Sequence, residues 1–111
     1  MILLKLCVCI CNQVNYSQML RGPKDDVSSF VVNESAGVLV CGARDKSIFG
    51  WDTKTGEYLF SRRYCHAMEV SAVDTAGYGG SIVVSGSRDA TVAVWAREME
   101  KGNSLLLANQ V

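Results

Sequence analysis

Three residue types that can form a nucleophilic relay occur in the second half of the chain. His66, Ser85 and Asp89 could act as base, nucleophile and orienting acid, and Cys65 beside His66 could form a thiolate–imidazole pair. Adjacent residues of a strand point to opposite faces, so Cys65 and His66 would seldom meet. Ser85 lies inside an apolar run and not on an exposed elbow with oxyanion donors, so we predict a structural role and no enzyme activity. A hydrolase that uses Ser85 or Cys65 is the enzymatic alternative.

Five cysteines could bind a metal or form disulfides, but their number and spacing favour free thiols. Cys7, Cys9 and Cys11 alternate along one segment, so in a strand they share a face and cannot pair with good disulfide geometry. The spacing is not C-x-x-C and no second Cys/His pair completes a zinc site, so we predict no metal and no cofactor. The odd count, completed by Cys41 and Cys65, predicts an intracellular protein of the cytoplasm or nucleus.

Composition narrows the class of fold and of partner. The chain has 111 residues, 49% hydrophobic and 20% charged, which is typical of a globular domain and excludes a disordered or collagen-like chain. The 11 Lys and Arg residues balance the 11 Asp and Glu residues. We therefore predict no electrostatic binding to nucleic acid or to an anionic membrane.

The N-terminal run M-I-L-L-K-L-C-V-C-I-C resembles the apolar part of a signal peptide, which raises a secreted protein as an alternative. Lys5 interrupts the run, no basic segment precedes it, and no small-x-small cleavage site follows it. The run is also much shorter than the roughly 20 residues that span a bilayer. We therefore predict a strand here.

An internal repeat supplies the elements that would position the candidate residues. Val38–Asp52 reads V-L-V-C-G-A-R-D-K-S-I-F-G-W-D and Ile82–Ala96 reads I-V-V-S-G-S-R-D-A-T-V-A-V-W-A, so Gly, Arg, Asp and Trp recur 44 residues apart. Upstream, D-V-S-S-F at residues 26–30 matches E-V-S-A-V at 69–73, a separation of 43.

Each unit predicts four strands. Two apolar strands flank a tight Arg-Asp turn, one strand precedes them, and a fourth covers residues 57–62 or 104–108. The mixed charges of residues 97–101 predict a solvated loop before the last strand. Four antiparallel strands every ~44 residues is the period of a propeller blade.

These motifs resemble the WD40 repeat family. The resemblance is carried by C-G-A-R-D-x-S-I-x-x-W-D in the first unit and S-G-S-R-D-x-T-V-x-V-W in the second, within a stretch from about Asp25 to Ala108. It implies an all-β fold of about two four-stranded antiparallel blades of an incomplete β-propeller. On this basis residues 1–24 are outer strands of a degenerate preceding blade, 25–64 a degenerate first repeat and 65–111 a second repeat.

Blades of this family often contain a hydrogen-bonded tetrad, whose positions match His66, Ser85, Asp89 and Trp95. A three-residue turn pairs Ser85 with Ala93, so Ser85 and Trp95 point the same way from neighbouring strands. We expect Asp89 to orient His66, and Ser85 to bond both His66 and Trp95.

The first unit retains only part of the signature. Its matching residues are Gly42, Asp45, Trp51 and Asp52. Cys41 takes the place of Ser85, and the position that matches His66 falls at residues 22–23, so we expect apolar packing and no tetrad. In the second unit Ala96 follows the Trp, so the Trp-Asp pair is incomplete there.

Arg44 and Arg88 occupy equivalent turns and should emerge on the same rim, where they could bind an acidic or phosphorylated peptide. The simpler alternative is that they are solvated or pair with the adjacent Asp45 and Asp89. The fold predicts a non-catalytic scaffold whose partners are other proteins or peptides, bound by turns and rims.

A narrower resemblance connects His66 and the stretch E-V-S-A-V-D-T-A-G-Y-G-G-S-I-V-V-S-G-S-R-D to F-box/WD-repeat proteins of the dactylin type. It implies the substrate-binding part of a receptor of a cullin-RING ubiquitin ligase, although no segment here matches an F-box. A WD-repeat scaffold unrelated to ubiquitination is the alternative. Two blades leave a propeller open, so we expect a fragment or part of an assembly that oligomerises or aggregates when isolated.

Overall fold

Ten β-strands make up most of the described part of the chain. A computed structural model describes residues 3–10, 13–21, 26–98 and 104–111, with side chains described for 26–77, 79–98 and 105–111. The first two strands, β1 (Leu3–Ile10) and β2 (Gln13–Arg21), pair antiparallel with each other. The strand predicted for the N-terminal apolar run is thus β1.

The first four-stranded sheet is an antiparallel meander in which each strand pairs with the one before it. Its strands in order across the sheet are β3 (Val27–Asn33), β4 (Val38–Ala43), β5 (Ile48–Asp52) and β6 (Tyr58–Arg62). Every residue of β4 and all of β5 except Asp52 are buried, as the continuous apolar runs of these segments predict.

The second four-stranded sheet repeats this meander. Its strands are β7 (Val70–Ala76), β8 (Ile82–Ser87), β9 (Val92–Glu98) and β10 (Ser104–Gln110), and a turn of 3-10 helix at Tyr78–Gly80 joins the first two. The predicted all-β class with two four-stranded antiparallel sheets is therefore confirmed. The loop predicted at 97–101 is wrong at its start, because β9 continues to Glu98.

The two sheets share the same register, so the repeat in the sequence is also a repeat in space. Cys41 pairs with Phe49 across β4 and β5, and Ser85 pairs with Ala93 across β8 and β9. Both members of the second pair lie 44 residues after their counterparts in the first. Since side chains alternate between faces along a strand, equivalent residues of the two sheets point to equivalent faces.

The main core lies between the two sheets, where β7 contacts β3 and β4, and β10 contacts β6. Val40, Ile48 and Phe60 of the first sheet are buried there in one cluster with Val70 and other residues of the second. Burial of an aliphatic or aromatic side chain of this size contributes about 1.5–3 kcal/mol. One apolar face of the first sheet is thus covered by the second, while Leu39, Cys41, Phe49 and Trp51 form a separate buried cluster.

Two arginines extend the contact between the sheets, at β6 of the first and β9 of the second. The guanidinium of Arg62 lies 5.3 Å from the ring centroid of Trp95, and that of Arg97 lies 5.3 Å from the ring centroid of Phe60. Arg62 also donates to the carbonyl oxygen of Leu105 at 3.1 Å. Each sheet therefore places one cation over an aromatic ring of the other.

Candidate functional site

His66, Ser85 and Trp95 meet inside the second blade-like sheet. His66 lies in the segment between β6 and β7, Ser85 in β8 and Trp95 in β9. The hydroxyl oxygen of Ser85 lies 2.8 Å from Nε2 of His66 and accepts a hydrogen bond from Nε1 of Trp95 at 2.9 Å. His66 is 5% and Ser85 0% exposed, so the serine hydroxyl is enclosed by its two partners.

The other ring nitrogen of His66 reaches Thr91, just before β9. Nδ1 lies 2.8 Å from the hydroxyl oxygen of Thr91 and 3.6 Å from Oδ2 of Asp89. The Thr91 hydroxyl in turn donates to Oδ1 of Asp89. Asp89, which we expected to orient His66, thus lies near the ring and also reaches it through the hydroxyl of Thr91. Sequence reasoning missed Thr91, although it matches Ser47 in the repeat.

The directions of these hydrogen bonds follow from the chemistry of the groups. Because Thr91 donates to a carboxylate, its oxygen accepts from Nδ1–H of His66. Nε2 of His66 shares a hydrogen bond with the Ser85 hydroxyl, whose oxygen accepts from the indole N–H of Trp95. Among the described residues no buried side-chain nitrogen or oxygen lacks a partner, which is the condition for a stable buried network.

Asp89 anchors this chain of donors at the turn between β8 and β9. Its carboxylate also accepts the backbone N–H groups of Ala67 and Thr91, each at 2.8 Å. The Thr91 hydroxyl, with these two N–H groups and the nearby His66, lowers the pKa of Asp89 from 3.8 to about 2. The ionised carboxylate therefore ties the segment that carries His66 to the turn of its own sheet.

The first sheet has the same positions filled by different chemistry. Cys41 and Trp51 occupy the register positions of Ser85 and Trp95. Burial raises the pKa of the Cys41 thiol to about 12, so the sulfur stays protonated and is a weak hydrogen-bond acceptor. The position that matches His66, at residues 22–23, lies outside the described residues.

The two aspartates of the first-sheet signature organise turns. Asp45 accepts the backbone N–H of Ser47 at 3.1 Å and the hydroxyl of the same residue. Asp52 accepts the N–H groups of Thr55 at 3.0 Å and Lys54 at 2.8 Å, and these bonds lower its pKa. Asp45 thus repeats the turn contact that Asp89 makes with Thr91.

The signature glycines of the two sheets face different surroundings. A Cβ atom built on Gly42 would lie 2.5 Å from Cγ1 of Val70 and 3.0 Å from Cγ1 of Val73. The same atom built on Gly86 would meet no atom within 4 Å. Gly42 is therefore required for the close approach of β7, whereas Gly86 lines an open surface.

Arg44 and Arg88 lie at one rim, and a single carboxylate connects them. Oε1 of Glu69 is 2.8 Å from Nη1 of Arg88, and its Oε2 is 3.3 Å from Nε of Arg44. Arg44 also lies 3.5 Å from Asp26. The hydrogen bond from Arg88, the charges of both arginines and the hydrogen bond from Arg44 lower the pKa of Glu69. Glu69 was not among the predicted site residues.

The cysteine candidate has its own environment. The thiol of Cys65 donates to the carbonyl oxygen of Arg62 at 3.2 Å, while both ring nitrogens of His66 contact the hydroxyls of Ser85 and Thr91. Burial raises the pKa of Cys65 to about 12. The side chains of Cys7, Cys9 and Cys11 lie outside the described residues.

Two further kinds of feature are absent from the described part of the chain. It contains no group of three or more His, Cys, Asp or Glu side chains placed to hold a metal ion. It also contains no helix that is long and apolar enough to cross a membrane.

Sequence comparison identifies relatives of this chain. The family described as "WD domain, G-beta repeat" matches residues 14–52 and 56–96, which together exceed half of the chain. The pre-mRNA-splicing factor cwf17 of Schizosaccharomyces pombe is 28% identical over 81 residues, which are 73% of this chain and 23% of cwf17. The chain therefore spans about a quarter of the length of this curated relative.

Solved structures show the same architecture. Sqt1 from Chaetomium thermophilum superposes with a TM-score of 0.77 at 22% identity, over 96% of this chain and 30% of Sqt1. The β-propeller domain of Cps50 (Swd1) from Myceliophteria thermophila superposes with a TM-score of 0.69 at 14% identity, over 86% of this chain and 34% of that one. At these identities the likeness concerns the fold, and the two sheets have the arrangement of neighbouring propeller blades.

Proposed function

The chain belongs to the WD40 repeat family, and on that premise we propose that it is a non-catalytic scaffold that binds acidic segments of other proteins at its rim. The observation that carries this proposal is the pair Arg44 and Arg88, held on one rim by the carboxylate of Glu69. A guanidinium that already donates to the Glu69 carboxylate is oriented so that it can donate to a carboxylate or phosphate of a partner instead.

The buried polar residues support a structural role in this proposal. A nucleophile must reach its substrate, and Ser85 is enclosed between His66 and Trp95. A thiol nucleophile must ionise, and the pKa of Cys65 is about 12. A fluorophosphonate probe should therefore leave Ser85 unlabelled in the folded protein, and a thiol-directed probe should leave Cys65 unlabelled. Labelling that disappears in Ser85→Ala or Cys65→Ala would contradict the non-catalytic role.

The rim proposal is tested by fluorescence anisotropy with a labelled Asp-rich peptide and a phosphoserine peptide of the same length. Glu69→Gln removes the internal competitor, so we expect about 3-fold tighter binding, the size of one exposed charge pair. Arg88→Ala should weaken binding by about the same factor. Arg63→Ala removes an exposed arginine at the other end of the segment that joins β6 to β7, and it serves as the matched control. Equal affinities for wild type, Glu69→Gln and Arg88→Ala would overturn the rim as the binding site.

The proposal also concerns the kind of assembly in which the partner protein is found. The relative cwf17 is named a pre-mRNA-splicing factor, which favours a splicing assembly. The resemblance to F-box/WD-repeat proteins instead implies a cullin-RING ubiquitin ligase, and the comparisons give that role no support. Cross-linked capture with wild type and with Arg88→Ala distinguishes the two assemblies. Only partners that wild type captures and Arg88→Ala does not are counted as bound at the rim. Recovery of an F-box adaptor and cullin would favour the ligase, and recovery of splicing proteins the other assembly.

We place this scaffold inside the cell. Cys41 and Cys65 are free thiols in the described residues, as expected of a chain in a reducing compartment. Fractionation of cells that express the tagged chain should recover it in the cytoplasmic or nuclear fraction. Recovery from the medium would contradict this placement.

A further inference from the structure

The segment that joins β6 to β7 lies along the rim of the two turn arginines, and both turns hold its backbone. The backbone N–H of Cys65 donates to the carbonyl oxygen of Lys46 at 2.9 Å, in the turn between β4 and β5. The backbone N–H of Ala67 donates to Asp89 at 2.8 Å, in the turn between β8 and β9. The segment therefore crosses from the turn of the first sheet to that of the second.

Met68 is the residue of this segment that adjoins the arginine pair with an apolar side chain. The hydroxyl oxygen of Ser87 lies 2.8 Å from the carbonyl oxygen of Glu69 and 3.3 Å from that of Met68. The backbone N–H of Arg88 donates to the same carbonyl of Glu69 at 3.3 Å. Met68 is 47% exposed, and the side chains of Arg44 and Arg88 are 58% and 67% exposed. An exposed apolar residue and two exposed cations thus belong to one stretch of the rim.

Neither the repeat nor the core requires an apolar residue at this position. The residue 43 positions before Met68 is Asp25, so the first unit has an acidic residue there. Within the described residues, the buried hydrophobic clusters include Val70 two positions later but not Met68. The thioether is therefore left for a contact outside the chain.

The buried polar network supports this surface from inside the second sheet. His66 is bonded to Ser85 and Thr91, and Asp89 holds the backbone of Ala67. The backbone of the segment is thus fixed before any partner arrives, which lowers the entropy that binding must remove. Methionine and arginine are also enriched in the centres of protein interfaces, and an unbranched thioether adapts to apolar groups of different shape.

We propose that Met68 forms, with Arg44 and Arg88, a composite site for a protein segment in which a bulky apolar residue stands close to an acidic one. This inference rests on the proposed function of the rim and narrows the class of its partner. The carboxylate of the partner takes the place of Glu69 on the arginines, while its apolar side chain packs on Met68. A purely acidic segment makes only the first of these two contacts.

Fluorescence anisotropy with two kinds of labelled peptide tests the composite site. One is an Asp-rich peptide with Ser spacers, and the others replace one spacer with Leu at successive distances from an Asp. For wild type, at least one Leu position should tighten binding about 5-fold, as for the burial of about half an apolar side chain. Met68→Ser should bind the Asp-rich peptide like wild type and lose the gain from Leu. Its urea unfolding midpoint should stay close to that of wild type, since the side chain is exposed.

Tyr64→Ser is the matched control. Tyr64 is 81% exposed and lies at the other end of the same segment, beside Cys65 and not beside the arginine pair. This variant should keep the full gain from Leu. A gain that is equally reduced in Tyr64→Ser and Met68→Ser would show a non-specific apolar surface and would overturn the composite site.

The remaining outcomes distinguish this inference from the proposed function of the rim. If no Leu position tightens binding to wild type, or if Met68→Ser keeps the gain, the composite site is wrong. The rim function would still stand in that case if Arg88→Ala weakened binding of the Asp-rich peptide. If Arg88→Ala left the affinity for every peptide unchanged, the rim function would be wrong and the composite site with it.

Discussion

The two four-stranded sheets have the same strand order and register, yet they are stabilised differently. In the first, a buried thiol stands beside Trp51 and Gly42 lies against β7. In the second, a hydroxyl stands beside Trp95 as part of a polar network, and Gly86 faces open space. Two residues of the same signature thus have different roles. The glycine of the first sheet leaves room for the second sheet to pack closely, while the serine hydroxyl of the second sheet joins residues within that sheet.

The largest difference between the sheets should be seen at the two glycines. Gly42→Ala forces a Cβ atom to 2.5 Å from Cγ1 of Val70, so it should lower the free energy of unfolding. We expect about 3 kcal/mol, at the upper end of what overpacking usually costs. Gly86→Ala should change it by less than about 0.5 kcal/mol, as for an ordinary surface position. Urea unfolding at a concentration where the chain is monomeric measures both.

Equal losses in the two alanine variants would contradict the closed and open assignment of these faces. A loss only in Gly86→Ala would reverse it. Because the backbone change is the same in both, each variant is the control for the other.

The next largest effect concerns the serine and the tryptophan of the second sheet. Ser85→Ala leaves Nε1 of Trp95 and Nε2 of His66 without their shared partner, which should cost about 2 kcal/mol. A double-mutant cycle with Trp95→Phe should give a coupling of about 1–2 kcal/mol. The matching cycle of Cys41→Ala and Trp51→Phe should couple by less than about 0.5 kcal/mol, because a thiol is a weak acceptor. Equal couplings would mean that the hydroxyl adds nothing specific to the second sheet.

A smaller effect should be the same in both sheets. Lys46 and Ala90 end the equivalent turns with φ of 73° and 69°, the left-handed region that costs a residue with a Cβ atom. Lys46→Gly and Ala90→Gly should each raise stability by about 1 kcal/mol, measured as a shift of the unfolding midpoint. Gly56→Ala, at φ of 75°, is the inverse control and should lower it. Opposite signs at residues 46 and 90 would contradict the equivalence of the two turns.

The repeat in the sequence predicted much of this structure because it is a local signal. A fixed separation of 44 residues between the glycines and tryptophans determined which strands pair, and the register followed from the turn. The apolar runs of β4 and β8 likewise identified these strands from their own residues.

Features that depend on contacts between distant segments were not predicted. Gly42 and Gly86 look identical in the sequence, and only the position of β7 distinguishes them. Glu69, which directly precedes β7, connects the arginines of two turns that lie elsewhere in the sequence. Arg97 lies over the ring of Phe60, although the charged residues around it predicted a solvated loop. The match of Thr91 to Ser47 in the repeat marked Thr91 as a repeated hydroxyl. Its role in the network follows only from the position of His66, which contacts it in the folded chain.

The difference most specific to the second sheet belongs to the charge of Asp89. Its pKa falls from 3.8 to about 2 on folding, so the ionised form stabilises the folded state above pH 3.8 and this contribution is lost as the pH falls towards 2. Asp89→Asn keeps an oxygen acceptor without the charge. The gap between the urea midpoints of wild type and Asp89→Asn should therefore be constant from pH 7 to about 4 and close between about pH 4 and 2. A gap that persists unchanged at pH 2 would show that the shape of the carboxylate, and not its charge, holds His66 and Thr91 in place.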